Sequence, residues 1–221
     1  MNRRDEIARN IALWRERLPG VTLCAVTKTM PVEDINAAVA CGITDIGENR
    51  VQELTEKLER IEGAPRIHLI GRLQTNKVKY LVGKVSLIQS VDRIELAEEI
   101  AKRSRQAGTV TDTLIQVSVA GEEQKGGVEP EKLDELLRAC EGLDGIRVKG
   151  LMSVMPLTDD TVSLRGYFRQ VRRMFEDLGR TANERIQMET LSMGMSNDCL
   201  IAAEEGATMV RIGRGIFGER N

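Results

Sequence analysis

Hydrophobic positions along the chain follow two patterns that alternate. In some stretches apolar residues recur every three or four positions, which is the period of an α-helix with one buried face. Between them are short, continuous apolar runs, which are typical of β-strands buried on both faces. The clearest helical stripes are Ile7, Ile11, Trp14 and Leu18; Leu133, Leu136, Leu137 and Cys140; and Leu164, Tyr167, Phe168, Val171, Met174, Phe175 and Leu178.

The short apolar runs predict eight strands. Strands that are buried on both faces and separated by helices form parallel sheets, and eight in strict alternation favour a (β/α)8 TIM barrel over an open doubly wound sheet. We predict a single domain over residues 1–221, with an N-terminal helix at about 5–18 in place of the eighth outer helix. The runs are TLCAVT from Thr22, TDIG from Thr44, IHLIG from Ile67, SLIQSVD from Ser86, TLIQVSV from Thr113, VKGLMSVM from Val148, TLSM from Thr190 and MVRIG from Met209.

Composition narrows the classes of function. The 32 Lys and Arg against 34 Asp and Glu give a net charge of −2, which offers no electrostatic support for a nucleic-acid or membrane partner. We find neither a membrane-length apolar stretch nor a secretory signal, so we expect a cytoplasmic protein. The single histidine, His68, and four widely spaced cysteines predict no metal site, no redox motif and no Ser-His-Asp site.

Lys28 stands at the carboxyl end of the first predicted strand, just before Pro31. A lysine at a strand end can simply extend into water. Barrel proteins, however, place their binding and catalytic sites at the carboxyl ends of the strands, so a functional role for Lys28 is a competing interpretation. Lys149 lies at the start of the sixth predicted strand, and we interpret it as structural.

Two glycine-containing loops follow the seventh and eighth strands, where TIM barrels often hold phosphate. They are SMGMSND from Ser192 and RIGRGIFG from Arg211, and each is also explained as an ordinary turn. Arg211 lies inside the eighth strand, where a buried guanidinium needs an acceptor, and a structural salt bridge would satisfy it. Pyridoxal 5′-phosphate (PLP) fits all three features, because it has an aldehyde for a lysine, a phosphate for the loops and a ring nitrogen for an arginine.

Several segments together resemble one family. The chain is similar, in order from the first strand to the C-terminus, to the PLP-homeostasis proteins of the YggS/PROSC type. That resemblance implies a fold-type III barrel without the C-terminal β domain of alanine racemase. It also implies a protein that binds PLP and delivers it within the cell, without established turnover. The segments are CAVTKTMP, DIGENRVQE, IHLIGRLQTNK, QSVD, GLMSVMP and LSMGMSNDCLIAAEEGATMVRIGRGIFGER.

The resemblance also assigns roles to individual residues. By position, Lys28 corresponds to the lysine that forms an imine with PLP, Asn49 to a residue beside the ring, and Arg211 to the partner of the pyridine nitrogen. Ser196 and the backbone around Ile212 and Gly213 correspond to the phosphate cradle. Ser192 and His68 lie in matching motifs; we include Ser192 among the cofactor-binding residues, whereas His68 alone is typical of a core histidine bonded to backbone.

The chain departs from the family pattern at three positions. Met30 stands where many relatives have a second lysine, Arg50 where a tyrosine is common, and Ile67 where a tryptophan often precedes the histidine. If the second lysine assists transfer of PLP, this chain must use another group or transfer more slowly. Lys125 resembles a further lysine proposed to matter in some relatives, although alone it is typical of a solvated loop.

Two enzymatic alternatives stay open. A PLP-dependent amino-acid racemase needs two acid/base groups on opposite faces of the substrate, and only Tyr80 and Tyr167 could supply a tyrosine. The chain ends at Asn221, so we expect the racemase's added domain to be absent. A Schiff-base aldolase acting on sugar phosphates would also use a lysine and a phosphate cradle. We favour a monomeric, non-enzymatic PLP binder with no catalytic residues, whose other partners are apo forms of PLP-dependent enzymes, contacted transiently.

Overall fold

A closed, eight-stranded parallel barrel organises the chain, with strand order β1 to β8 around the ring. The computed structural model describes residues 2–121 and 126–218. The predicted (β/α)8 barrel is therefore confirmed. The strands are β1 (Thr22–Val26), β2 (Asp45–Glu48), β3 (Arg66–Leu69), β4 (Leu87–Val91), β5 (Thr111–Gln116), β6 (Ile146–Met152), β7 (Ile186–Met195) and β8 (Met209–Ile212).

Helices connect the strands, except that a 3-10 segment, Thr75–Tyr80, stands between β3 and β4. The alternation is thus less strict than the sequence pattern predicts. The helices are α1 (Arg3–Arg17), α2 (Val32–Ala40), α3 (Val51–Lys57), α4 (Ile94–Gln106), α5 (Leu133–Glu141), α6 (Thr161–Gly179), α7 (Cys199–Glu204) and α8 (Arg214–Phe217). In the described part of the chain no helix is long and apolar enough to cross a membrane.

Helix α1 lies where the short α8 leaves the outer ring open. Its inner face buries Ile7 and Ile11, while the indole Nε1 of Trp14 donates to the Gly215 carbonyl at 2.9 Å. The side chain of Asn10 donates to the Ile216 carbonyl at 3.0 Å. These contacts tie the first helix to the last, so the N-terminal segment completes the layer around the barrel.

The two sides of the sheet have different cores. The outer side, between strands and helices, holds one continuous apolar cluster that includes Leu23, Ala25 and Phe168. A second, small apolar cluster consists of Leu87, Leu114 and Met152. Polar and charged side chains, among them Gln89 and Arg211, are also buried inside the barrel.

Candidate functional site

The carboxyl ends of β8, β1 and β2 lie side by side. Ala25 on β1 pairs with Ile212 on β8, and Val26 pairs with Gly47 on β2. Lys28 follows Val26 by two positions, which places it between the segment after β8 and the segment after β2. The structure therefore brings Lys28, Asn49 and Gly213 to the same end of neighbouring strands.

Lys28 occupies a tight turn. The amide of Met30 donates to the carbonyl of Thr27 at 3.0 Å, so Lys28 and Thr29 are the two central residues. Thr29 has φ of 64°, the left-handed value that the third position of a type II turn requires and that glycine or asparagine usually supplies. A β-branched residue there is strained. Lys28 itself is half-buried.

Asn49 follows β2 and is fixed by a close backbone contact. A Cβ added to Gly71 would lie 2.2 Å from the Asn49 carbonyl oxygen, so only glycine lets the two segments approach this closely. Among the described residues, the side-chain Oδ1 of Asn49 is a buried atom with no hydrogen-bond partner. Such atoms are rare in proteins, and this one lies after β2, the strand that pairs with the one Lys28 follows.

The loops after β7 and β8 form compact turns. The amide of Met195 donates to the Asp198 carboxylate at 2.6 Å, and the amide of Asp198 donates to the Met195 carbonyl at 3.1 Å. This closes a turn that contains half-buried Ser196. After β8, the amides of Ile216 and Phe217 both donate to the Gly213 carbonyl. Helices α7 and α8 are short, so the predicted phosphate cradle would consist of turn backbone rather than of long helix dipoles.

Arg211 lies inside the barrel below these turns. Its guanidinium donates to the Ser192 carbonyl at 2.9 Å, the Ser192 hydroxyl at 2.7 Å and the Ser153 carbonyl at 2.8 Å. Burial lowers the pKa of this guanidinium from its usual value. These neutral oxygens hold the guanidinium in one orientation. Ser192 is fully buried and accepts two of the bonds from Arg211.

A chain of polar side chains continues from Ser192 across the interior. The Ser192 hydroxyl donates to Gln89 Oε1 at 2.7 Å, and Gln89 Nε2 lies 2.8 Å from His68 Nδ1. His68 Nε2 lies 3.1 Å from Asp45 Oδ1, and Arg66 donates to Asp45 Oδ2 at 2.8 Å. One neutral tautomer of His68 satisfies both neighbours. The histidine is a satisfied core residue, as expected, but its partners are side chains rather than backbone.

The departures from the family pattern have plain structural settings. Met30 is 8% exposed and packs into the outer core, whereas Arg50 is exposed at the start of α3. Ile67 is half-buried against the same core. Lys125 lies outside the described residues. No group of three or more His, Cys, Asp and Glu side chains within residues 2–121 and 126–218 could hold a metal ion.

Residues 3–221 match the family model of the alanine racemase N-terminal domain. A pyridoxal phosphate homeostasis protein from Aquifex aeolicus (strain VF5) is 49% identical over 199 residues, which are 90% of this chain and 86% of that protein. The chain belongs to the pyridoxal phosphate homeostasis protein family. The resemblance of the sequence segments is thereby confirmed.

Solved structures of other proteins share the fold of this chain. PipY from Synechococcus elongatus PCC7942, solved with PLP bound, has a TM-score of 0.89 at 34% identity, covering 96% of this chain and all of that one. Alanine racemase from Streptomyces coelicolor A3(2) has a TM-score of 0.78 at 23% identity, covering 98% of this chain and 59% of that one. At that identity the likeness to the racemase shows the shared fold alone.

The residues at the carboxyl end fit PLP chemically. A primary amine, a buried guanidinium, an unpartnered amide oxygen and a serine in a compact turn lie on adjoining strand ends. Three other residues emerged only from the structure, namely Gln89, Ser153 and Lys57. Gln89 had a sequence signal, since it is a polar residue inside the apolar run SLIQSVD; the carbonyl of Ser153 and the side chain of Lys57 had none.

Proposed function

We propose that this protein holds PLP as a Schiff base on Lys28 and takes part in PLP homeostasis, without catalytic turnover. The observation that carries the proposal is the position of Lys28, in a tight turn at the end of β1, between Asn49 and Gly213 on the neighbouring strand ends. The names of its relatives and the PLP-bound PipY structure support the same ligand.

Each residue has a distinct part in this proposal. Lys28 would hold PLP through its amine, which as the neutral form would supply the nucleophile for the aldehyde, with one water as the leaving molecule. The hydroxyl of Ser196 and the backbone N–H groups of Ile212 and Gly213 would donate hydrogen bonds to the phosphate. Asn49 supplies an unpartnered side-chain oxygen beside the ring. Ser192 orients the Arg211 side chain by accepting its hydrogen bonds.

Arg211 argues for binding rather than turnover. When bound, PLP supplies an electron sink whose strength depends on protonation of its ring nitrogen. The fixed guanidinium charge of Arg211 would disfavour protonation of that nitrogen and so weaken the electron sink. The tyrosines offer no second acid/base group, since Tyr80 is 47% exposed in the 3-10 segment after β3 and Tyr167 packs half-buried on α6. Release of PLP to apoenzymes is the corresponding cellular role.

The direct test is the absorbance spectrum of the purified protein before and after borohydride reduction. We expect a visible imine band in the wild type, and reduction should attach the pyridoxyl group to Lys28 in the peptide map. Lys28→Ala should lose the band and the reducible adduct while retaining weak binding through the phosphate.

Lys149→Ala is the matched control, because it removes a lysine at the other end of the barrel. It should keep both the band and the adduct. A wild-type protein that stays colourless with added PLP would contradict the proposal. Exchange of the Cα proton of alanine at enzymatic rates, dependent on Lys28, would favour the racemase alternative, and Lys28-dependent retro-aldol cleavage would favour the aldolase.

A further inference from the structure

Lys57, the last residue of α3, reaches back under the turn that carries Lys28. Its side chain is 11% exposed, and its Nζ donates to the Thr27 carbonyl at 2.9 Å, to Glu48 Oε1 at 2.8 Å and to Glu53 Oε1 at 2.6 Å. An ammonium group has three protons, so every one has an acceptor in this cluster. One of the three acceptors is the backbone oxygen directly before Lys28.

The carboxylates of Glu48 and Glu53 bind the residues on both sides of Lys28. Glu48 Oε1 also accepts from the Thr27 hydroxyl at 2.7 Å, and Glu53 Oε1 accepts from the amide of Thr29. Lys57 therefore binds the carbonyl before Lys28, and Glu53 binds the amide after it. Lys57 also joins Glu53 to Glu48. We call Glu48, Glu53 and Lys57 the turn clamp.

Burying the charged groups of the turn clamp has a desolvation cost that lowers its net contribution to stability. Burial raises the pKa of Glu48, and the bond from Lys57 offsets only part of that effect. Among the described residues, Glu48 Oε2 is buried without a hydrogen-bond partner. Apolar residues of similar volume often stabilise as well as a buried ion pair does. The clamp's bonds, however, converge on a strained turn, where Thr29 keeps a left-handed φ that its side chain disfavours.

We infer that Lys57 is a positioning residue for Lys28: with Glu48 and Glu53 it holds the backbone on both sides of Lys28 and so fixes the direction in which the amine leaves β1. The inference rests on the proposed Schiff base. Lys57 does not touch the reacting atoms; it acts through the turn.

The first experiment measures the rate at which PLP-free protein forms the imine band after mixing with PLP. Displacing a reacting group by about an ångström can lower a rate on the order of a hundredfold, so loosening the turn in Lys57→Met should slow formation roughly tenfold. Affinity for pyridoxamine 5′-phosphate, which has no aldehyde, should change less than about twofold, since a bound amine requires no attack by Lys28.

Lys149→Met is the matched control. Lys149 is also largely buried and donates to Glu189 Oε1 at 2.6 Å, but it lies toward the amino end of β6. Its variant loses an ion pair to a more exposed carboxylate and should form the imine at the wild-type rate. Equal rates in Lys57→Met and the wild type, measured well below both unfolding midpoints, would overturn the inference while leaving Lys28 as the imine lysine.

A second pair of variants keeps the test decisive if Lys57→Met fails to fold. Glu53→Ala removes the acceptor of the Thr29 amide and should slow imine formation. Adding Thr29→Asn should restore most of the rate, because asparagine adopts a left-handed φ without help from the clamp. A Glu53→Ala rate equal to wild type, or a slow rate that Thr29→Asn leaves unchanged, would contradict action through the turn.

Discussion

At the amino end of the barrel, charged side chains meet charged partners: Arg66 binds Asp45, and Lys149 binds Glu189, around a polar cavity of about 320 Å³. At the carboxyl end, Asn49 Oδ1 and Glu48 Oε2 are buried without hydrogen-bond partners in the described structure, and Thr29 is strained. Ion pairs line the cavity at the amino end, whereas the carboxyl end combines these two buried oxygens with a β-branched residue at a left-handed φ.

The difference separates stability from function within one sheet. Barrel folds place binding sites at the carboxyl ends of their strands, and residues at the amino ends serve stability. Here the two lysines illustrate the division: Lys149 is neutralised by Glu189, whereas Lys28 stands in a turn whose backbone is held by other residues. Substitutions at the carboxyl end should therefore change ligand binding, and those at the amino end should change stability alone.

We expect the largest effect from a methyl group added at the carboxyl end, and we compare it with a methyl group added at the amino end. In Gly71→Ala the new Cβ would lie 2.2 Å from the Asn49 carbonyl, so the backbone after β2 must move. We expect a loss of about 3 kcal/mol in the free energy of unfolding, with weaker PLP binding, because overpacking displaces backbone.

Gly20→Ala, at the amino end, is the comparison. An added Cβ there meets no atom within 4 Å, and only the positive φ of 76° opposes it. We expect a loss of about 1 kcal/mol and unchanged PLP binding. Urea denaturation and PLP titration measure both effects. Equal, mild losses in the two variants would show that the close contact between Gly71 and Asn49 is not rigid.

Acid should lower the free energy of unfolding by protonating Asp45 at the amino end. Burial alone would raise the pKa of this carboxyl, but hydrogen bonds from His68, Arg66 and Thr44 outweigh it and lower the pKa from 3.8 to about 2. Because the folded pKa lies below the unfolded one, the stabilisation is complete above about pH 4 and is lost as pH falls through 2.

The lost stability is about 2 kcal/mol, at 1.36 kcal/mol for each unit of pKa. Asp45→Asn should flatten the decline in the free energy of unfolding between pH 4 and pH 2, measured by urea denaturation. Asp144→Asn is the control at the same end: Arg185 lowers the pKa of Asp144, but that carboxyl is fully exposed and screened by water. An unchanged decline in Asp45→Asn would contradict the assignment.

The fold could be predicted because it depends on local patterns. Each strand is short and apolar, and each long helix carries a stripe, so the order of elements follows directly from the sequence. Strand limits were harder. β7 begins at Ile186 rather than at the predicted Thr190, because its first residues alternate with exposed Glu189 and do not form a continuous apolar run. Over only four residues, such alternation is a weak indication of a strand.

The candidate site could be predicted only where it follows a strand end. Lys28 and Arg211 were identifiable because a charged residue beside an apolar run is unusual. Lys57 was not, since a lysine in the last turn of a helix is ordinary and favourable. The contact of Gln89 with Ser192 joins β4 to β7, which are far apart in sequence, and that contact depends on the tilt and register of the closed barrel.

The smallest expected effect relieves the strain at the carboxyl end. Thr29→Asn should raise the free energy of unfolding of the PLP-free protein by up to about 1 kcal/mol, because asparagine tolerates a left-handed φ that a β-branched residue disfavours. Ala64, with φ of 47°, precedes β3 at the amino end, and Ala64→Asn is the matched substitution. Alanine has no branched side chain, so the gain there should be smaller. Thermal unfolding of both variants decides the matter: a larger gain at Ala64 would mean that the turn carrying Lys28 stores no more strain than an ordinary loop.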